Sequence, residues 1–161
     1  MKKFILLALT ALVGATAIAC ADEKPISFSK LPEKAQTFVT EHFEANVSLV
    51  RKDVFPTEYE VIFVNGDKIK FDSRGEWEEI ECRQAAVPAA AVPAEIRSWL
   101  ETNYPRQFII SIERDKRSWE IELDNRLDFK FNSRFQLLRI DDCPRQADAL
   151  PSPIGMNRIK V

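Results

Sequence analysis

The second half of this chain answers the first, and that repetition constrains the fold more than any other feature of the sequence. Leu31-Pro32 recurs as Val92-Pro93, and Ala35, Phe38, Val39 and Phe43 recur 61 residues later as Ile96, Trp99, Leu100 and Tyr104. After a one-residue deletion the offset is 60. Tyr59-Glu60-Val61 then answers Trp119-Glu120-Ile121, Lys70 to Arg74 answers Lys130 to Arg134, and Ile80 answers Ile140. Self-similarity at a fixed spacing points to one supersecondary unit used twice, so whatever fold is assigned must suit both copies.

Each copy changes its hydrophobic period part-way along. The opening reads apolar at i, i+3, i+4 and i+8 behind a proline, which predicts an amphipathic helix with proline at its start, where a missing N–H costs nothing. The period then falls to two. Val47 and Leu49, then Tyr59, Val61 and Phe63, then Ile69 and Phe71 alternate with polar residues in copy one. Ile110 and Ile112, then Trp119, Ile121 and Leu123, then Leu127, Phe129 and Phe131, then Leu138 and Ile140 do so in copy two. Asn65-Gly66 marks a hairpin, and Asp72-Ser73-Arg74-Gly75 a second turn before Trp77. The expectation is an α+β fold, a tandem repeat of helix plus four-stranded antiparallel sheet. It places a first repeat at 22–83, a linker rich in Ala and Pro at 84–91, a second repeat at 92–143 and a poorly ordered tail at 144–161. Phe135 stands where copy one has Gly75, so that turn is expected to differ, unless Arg134 or Asn132 supplies the unusual dihedral.

The first residues bear on compartment. Lys2 and Lys3, the apolar run Phe4 to Val13 and the small residues after it read as a secretory signal peptide over 1–21, too short for a membrane span. Two readings of its processing stand. Ala19-Cys20-Ala21 suits cleavage after Ala21 and a periplasmic chain starting at Asp22. Ala17-Ile18-Ala19-Cys20 is a lipobox lacking the usual Leu, and would make a lipoprotein anchored at Cys20. Loss of Lys2 and Lys3 takes the net charge from −2 to −4. That mixed, mildly acidic balance gives no footprint for nucleic acid or anionic lipid. Cys82 and Cys143 would then remain, either as a disulfide or as two free thiols.

Chemistry is sparse. The single histidine, His42, sits at the polar end of the first helix with no nucleophile motif nearby. No serine-elbow, zincin, phosphate-loop or dinucleotide pattern occurs. Asp72, Glu76, Glu78, Glu79, Glu81, Asp141 and Asp142 lack the spacing of a calcium loop. The reading is of a non-enzyme without cofactor or metal. Period-two counting puts Glu60, Ile62, Val64, Lys68, Lys70, Trp77 and Glu79 on the sheet face away from the helix. The matching face of copy two reads Glu120, Glu122, Asp124, Asp128, Lys130, Leu137 and Arg139. Ile62, Val64 and Trp77 are thus expected at the centre of a partner-binding surface rimmed by Lys68, Lys70 and Glu79. The competing reading has that face covered by another part of the chain.

These residues resemble a known family. Ala-Asp-Glu-Lys-Pro-Ile after the signal, Leu-Pro before a helix ending at His42-Phe43, Tyr-Glu-Val-Ile-Phe before Asn-Gly, Phe-Asp-Ser-Arg-Gly-Glu-Trp, and a second opening at Val92-Pro93 are similar to the PepSY-like, beta-lactamase-inhibitor-like proteins of bacterial periplasms. The resemblance spans roughly residues 22–142. It implies the fold of the beta-lactamase inhibitory proteins, with a curved sheet offering a concave binding face, and it carries no demonstrated activity. The expected function is an exported binding module, inhibiting a periplasmic enzyme or protease, with a protein or peptide partner. A structural or envelope-stress protein, or a calcium or small-ligand sensor, is the alternative.

Overall fold

The computed structural model describes residues 24–142. The expected signal peptide, the tail at 144–161 and Cys143 lie outside the described residues. Nine strands and two helices follow one another: β1 (Lys24–Pro25), α1 (Glu33–His42), β2 (Val47–Asp53), β3 (Glu58–Phe63), β4 (Lys68–Asp72), β5 (Trp77–Glu81), α2 (Ala94–Asn103), β6 (Ile109–Arg114), β7 (Ser118–Leu123), β8 (Leu127–Asn132) and β9 (Leu137–Asp142). All nine strands form one antiparallel sheet in chain order.

This corrects the expected tandem of helix plus four-stranded sheet: there is a single, mostly β, nine-stranded sheet. The joint is the pairing of β5 with β6, where Glu79 lies opposite Glu113, Ile80 opposite Ile112 and Glu81 opposite Ser111. Just past it, the Cys82 N–H donates to the Ile110 carbonyl at 2.7 Å. The physical reason is one that residue alternation does not encode. Two separate sheets would leave two additional edges of unpaired N–H and C=O groups, and joining β5 to β6 removes both.

The helices lie on one face. Across the sheet, Val50, Val61, Ile69, Ile80, Ile112, Ile121 and Phe129 face one another strand by strand, and all seven are buried. Ala35 and Val39 of α1 and Ile96 and Leu100 of α2 cover this row. Phe38 meets Phe71 edge-on, and Trp99 meets Phe129 and Phe131 in the same way. Each helix has proline at its N-cap, Pro32 and Pro93. The stretch before α2 also enters the core: Val87, Ala91 and Val92 are buried, and the Val87 N–H donates to the Ile109 carbonyl.

Both last hairpins contain a bulge. The register shifts between Lys70 and Phe71 opposite β5, and again between Lys130 and Phe131 opposite β9. An inserted residue carries everything beyond it to the other face. Trp77 therefore pairs with Phe71 and Leu137 with Phe131, on the helix side.

The two turns before those strands are the same, contrary to the expectation from Phe135. Asp72 and Asn132 each accept, through one side-chain oxygen, the N–H groups of the residues two and four later. Gly75 and Phe135 both take positive φ, +81° and +59°. Phe135 itself adopts the left-handed conformation.

Candidate functional site

Among the described residues, no element covers the face opposite the helices. Its side chains form two rows across the sheet. One runs Arg51, Glu60, Lys70, Glu79, Glu113, Glu120, Lys130, Arg139; the other runs Leu49, Ile62, Lys68, Glu81, Ser111, Glu122, Asp128, Asp141.

Of the residues expected at a binding surface, Ile62, Lys68, Lys70 and Glu79 lie in these rows. Val64, at the end of β3 beside Ile62, is 72% exposed. Lys70 is ion-paired with Glu79, and Lys68 with Glu81 at 3.4 Å. The hydrogen bond that Lys70 donates to the Glu79 carboxylate raises the proton affinity of Lys70. Trp77 does not join them, which corrects its assignment as the anchor of the surface. The bulge turns it to the helix side, where it is 8% exposed. There it stacks on Phe38, lies 6.0 Å from Trp119, and carries the Arg114 guanidinium 4.4 Å from its ring centroid. Arg114 also donates to the Trp77 carbonyl and reaches Glu76 at 3.2 Å. The hydrogen bond from Lys34 and that from Arg114 hold the Glu76 carboxyl below its ordinary value. These groups staple the helix layer to the sheet joint and leave nothing of Trp77 for a partner.

The surface that sequence reasoning passed over lies on β6 to β9, where a charged face looked merely solvated. Glu79, Glu113 and Glu120 are consecutive neighbours across three strands, and so are Glu122, Asp128 and Asp141. Like charges directly opposite one another destabilise a sheet. Lys130 is ion-paired with Glu120, and Arg139 with Asp141, which leaves an acidic surplus in the centre. Partial burial, then Glu79 and Glu120, push the Glu113 carboxyl up. Burial, then Asp128 and Glu81, do the same to Glu122. Burial, then Asp141 and Glu120, raise Asp128. The three border a shallow hollow of about 180 Å³. The open face of β6 to β9 carries Glu113, Glu120, Glu122, Asp128 and Asp141 against Lys130 and Arg139 alone, an imbalance that becomes crowding once the strands pair.

A second hollow, about 370 Å³ and mainly apolar, lies between the end of α2 and the start of β6, against Val87, Leu100, Tyr104 and Phe108. The charges on its rim, Arg97 and Glu101, are directed at each other, so it has no converging polar groups of the kind that orient a ligand. His42, the only histidine, stands edge-on to Phe38 at the end of α1, away from the open face. Cys82 is buried, and burial followed by the charge of Asp67 pushes its thiol up to about 12, which makes it a poor nucleophile. Among the described residues no three His, Cys, Asp or Glu side chains are grouped to hold a metal ion, and no helix is long and apolar enough to cross a membrane.

Comparison with known proteins places the chain in context. The family described as "Putative beta-lactamase-inhibitor-like, PepSY-like" matches residues 57–139. A crystal structure described as a "putative periplasmic protein" from Bacteroides vulgatus shares 43% identity at a TM-score of 0.72, over 74% of this chain and 97% of that one. One from Bacteroides thetaiotaomicron, described as a "putative calcium-regulated periplasmic protein", gives the same identity, coverage and score. A second Bacteroides vulgatus protein, described as a "putative periplasmic protein of unknown function", shares 30% identity at a TM-score of 0.70, over 74% of this chain and 99% of that one. No curated protein sequence gives a significant match.

Proposed function

Because the chain belongs to the PepSY-like, beta-lactamase-inhibitor-like family, we propose that it is an exported, non-catalytic binding module whose open sheet face receives a cation-bearing protein partner in the periplasm. The observation that carries this reading is the pair of carboxylate rows on β5 to β9. Folding sets Glu79, Glu113 and Glu120 side by side, and Glu122, Asp128 and Asp141 likewise. A partner presenting Lys or Arg side chains would relieve that repulsion and gain charge-assisted hydrogen bonds. The Ile62 and Val64 corner adds an apolar contact at the end of the same face. The periplasmic description of the structural relatives supports the compartment.

A second reading rests on the same carboxylates. A relative 43% identical is described as a "putative calcium-regulated periplasmic protein", and calcium in solution would screen the repulsion along these rows without a site of three converging carboxylates.

Capture from periplasmic extract of the native host distinguishes the two. The wild-type chain should retain a protein that is released by salt, and Glu113→Lys with Glu122→Lys should lose it without loss of fold. Retention by the double variant would refute the electrostatic face. Retention that requires calcium and vanishes with chelator would favour the second reading.

A further inference from the structure

The two edges of the sheet end differently. One is closed by β1, two residues long and including Pro25, which has no N–H to offer another strand. The other is β9, Leu137–Asp142, six residues without a proline. Ile80 in β5 is fully buried, because β6 runs alongside it. Its counterpart Ile140 in β9 is 44% exposed, and Leu138 is 59% exposed. A long edge with uncovered apolar side chains is a template for a further strand.

The sequence of that edge is complementary to itself. Arg139 and Asp141 point to the open face, on either side of Ile140, which points to the helix side. A two-fold axis perpendicular to the sheet keeps each face on its own side, and so must pass through a residue position. Centred on Arg139, it would set arginine against arginine. Centred on Asp141, it would set aspartate against aspartate. Centred on Ile140, it sets Arg139 against Asp141 of the second copy, twice over, and Ile140 against Ile140. Directly opposite side chains in an antiparallel pair stand about 5 Å apart at Cβ, within ion-pair reach. In a single copy Arg139 and Asp141 pair along their own strand with both side chains largely exposed. Pairing across the axis would turn them into a four-charge network.

We propose that β9 is a homodimerisation edge, through which two copies pair antiparallel about Ile140 to form one continuous sheet. The interface is isologous, so it closes after two copies and does not propagate into a fibre. It leaves the open face of each copy uncovered and extends its charge rows across the axis.

Sedimentation equilibrium tests this on the full chain, expressed with residues 1–21 in place and purified after export. The wild type should show a monomer–dimer equilibrium. Arg139→Asp and Asp141→Arg should each weaken the dimer by about tenfold or more, because each sets like charges opposite one another. The two combined should restore the dimer, since the swap regains complementarity. Ile140→Lys should abolish it, giving a route independent of the charge variants, with circular dichroism verifying the fold of each. A wild type monomeric at every concentration would overturn the proposal. So would a dimer indifferent to the single reversals, or a double variant that fails to recover.

Discussion

The two halves of the sheet, β2 to β5 under α1 and β6 to β9 under α2, make the same turns from different residues. Gly66 and Gly75 take positive φ in the first half, and Arg126 and Phe135 do so at the matching turns of the second. The difference follows from what packs against the turn. A Cβ at Gly75 would come within 2.8 Å of the Pro32 Cβ and 3.0 Å of the Ala35 N. There the start of α1 rests on the turn itself. At Phe135 the side chain packs against Trp119, 6.0 Å between ring centroids. A left-handed conformation costs a residue with a Cβ about 1–2 kcal/mol, so backbone alone would favour glycine at all four places. Asp72 and Asn132 therefore dictate the turn, and the neighbouring layer decides whether it can carry a side chain.

The largest test of this contrast is at the strands that follow. Trp77→Ala should cost about 3 kcal/mol or more, as for a buried aromatic ring, whereas Leu137→Ala, half-buried at the matching place, should cost about 1 kcal/mol. Urea denaturation of the two variants decides it, and equal losses would mean that the helix layer covers both strands alike. Next, Gly75→Ala should lose about 2–3 kcal/mol from strain and contact with α1 combined. Arg126→Gly should gain about 0.5 kcal/mol, the relief of φ partly offset by glycine's greater unfolded freedom. A tolerated Gly75→Ala would show that α1 can shift off the turn.

Smaller still is the effect of charge on the open face. Glu113, Glu122 and Asp128 bind protons more tightly in the fold than in the unfolded chain. Between the ordinary carboxylate values and their raised ones, the folded state holds more protons, so stability there falls as pH rises and returns as pH drops. Glu76, held low by Lys34 and Arg114, acts in the opposite sense, its contribution being lost on acidification. Glu122→Gln should therefore be more stable than wild type at neutral pH by about 0.5 kcal/mol after solvent screening. The difference should close as pH falls through the raised value. A variant no more stable at neutral pH would mean that Glu122 is not repelled.

The smallest expected effect is none. Asp142 and Glu81 lie at the same end of strands four apart in the sheet, a lateral separation of about 19 Å at the usual strand spacing. A disulfide spans at most about 7 Å between Cα atoms. Cys82, one residue beyond Glu81, is buried and is therefore expected to form no bridge to the far edge of the sheet, and reducing agent should leave the melting temperature unchanged. With residues 1–21 removed on export, two thiols on the unreduced, denatured chain would agree; none would show that β9 leaves its place.

Much of the helix side was legible in the sequence, because two periods state it directly. The i, i+3, i+4 spacing of Ala35, Phe38 and Val39 and the alternation of Val61 and Phe63 each mark a buried face. The rest was hidden for physical reasons. Strand alternation names faces, not neighbours, so it could not show that β5 seals against β6. A bulge has no residue signature at Glu78 or Leu138, and one inserted residue was enough to move Trp77 from the expected surface into the core. Ile62, Lys68, Lys70 and Glu79 were placed on the open face correctly, because they lie on the near side of that bulge. The acidic rows escaped notice because crowding arises only when β5 to β9 are set side by side. No carboxylate among them is unusual in its own strand.

Carboxylate footprinting of the chain with its captured periplasmic partner tests whether the open face is the one that binds. Labelling of exposed Asp and Glu with a carbodiimide, read by mass spectrometry, compares the free and bound states residue by residue. The open-face account predicts protection at Glu81, Glu113, Glu122 and Asp128, with Glu33, Glu41, Glu95 and Glu101 on the helices labelled as before. Protection of the helix carboxylates while the open face stays reactive would contradict it.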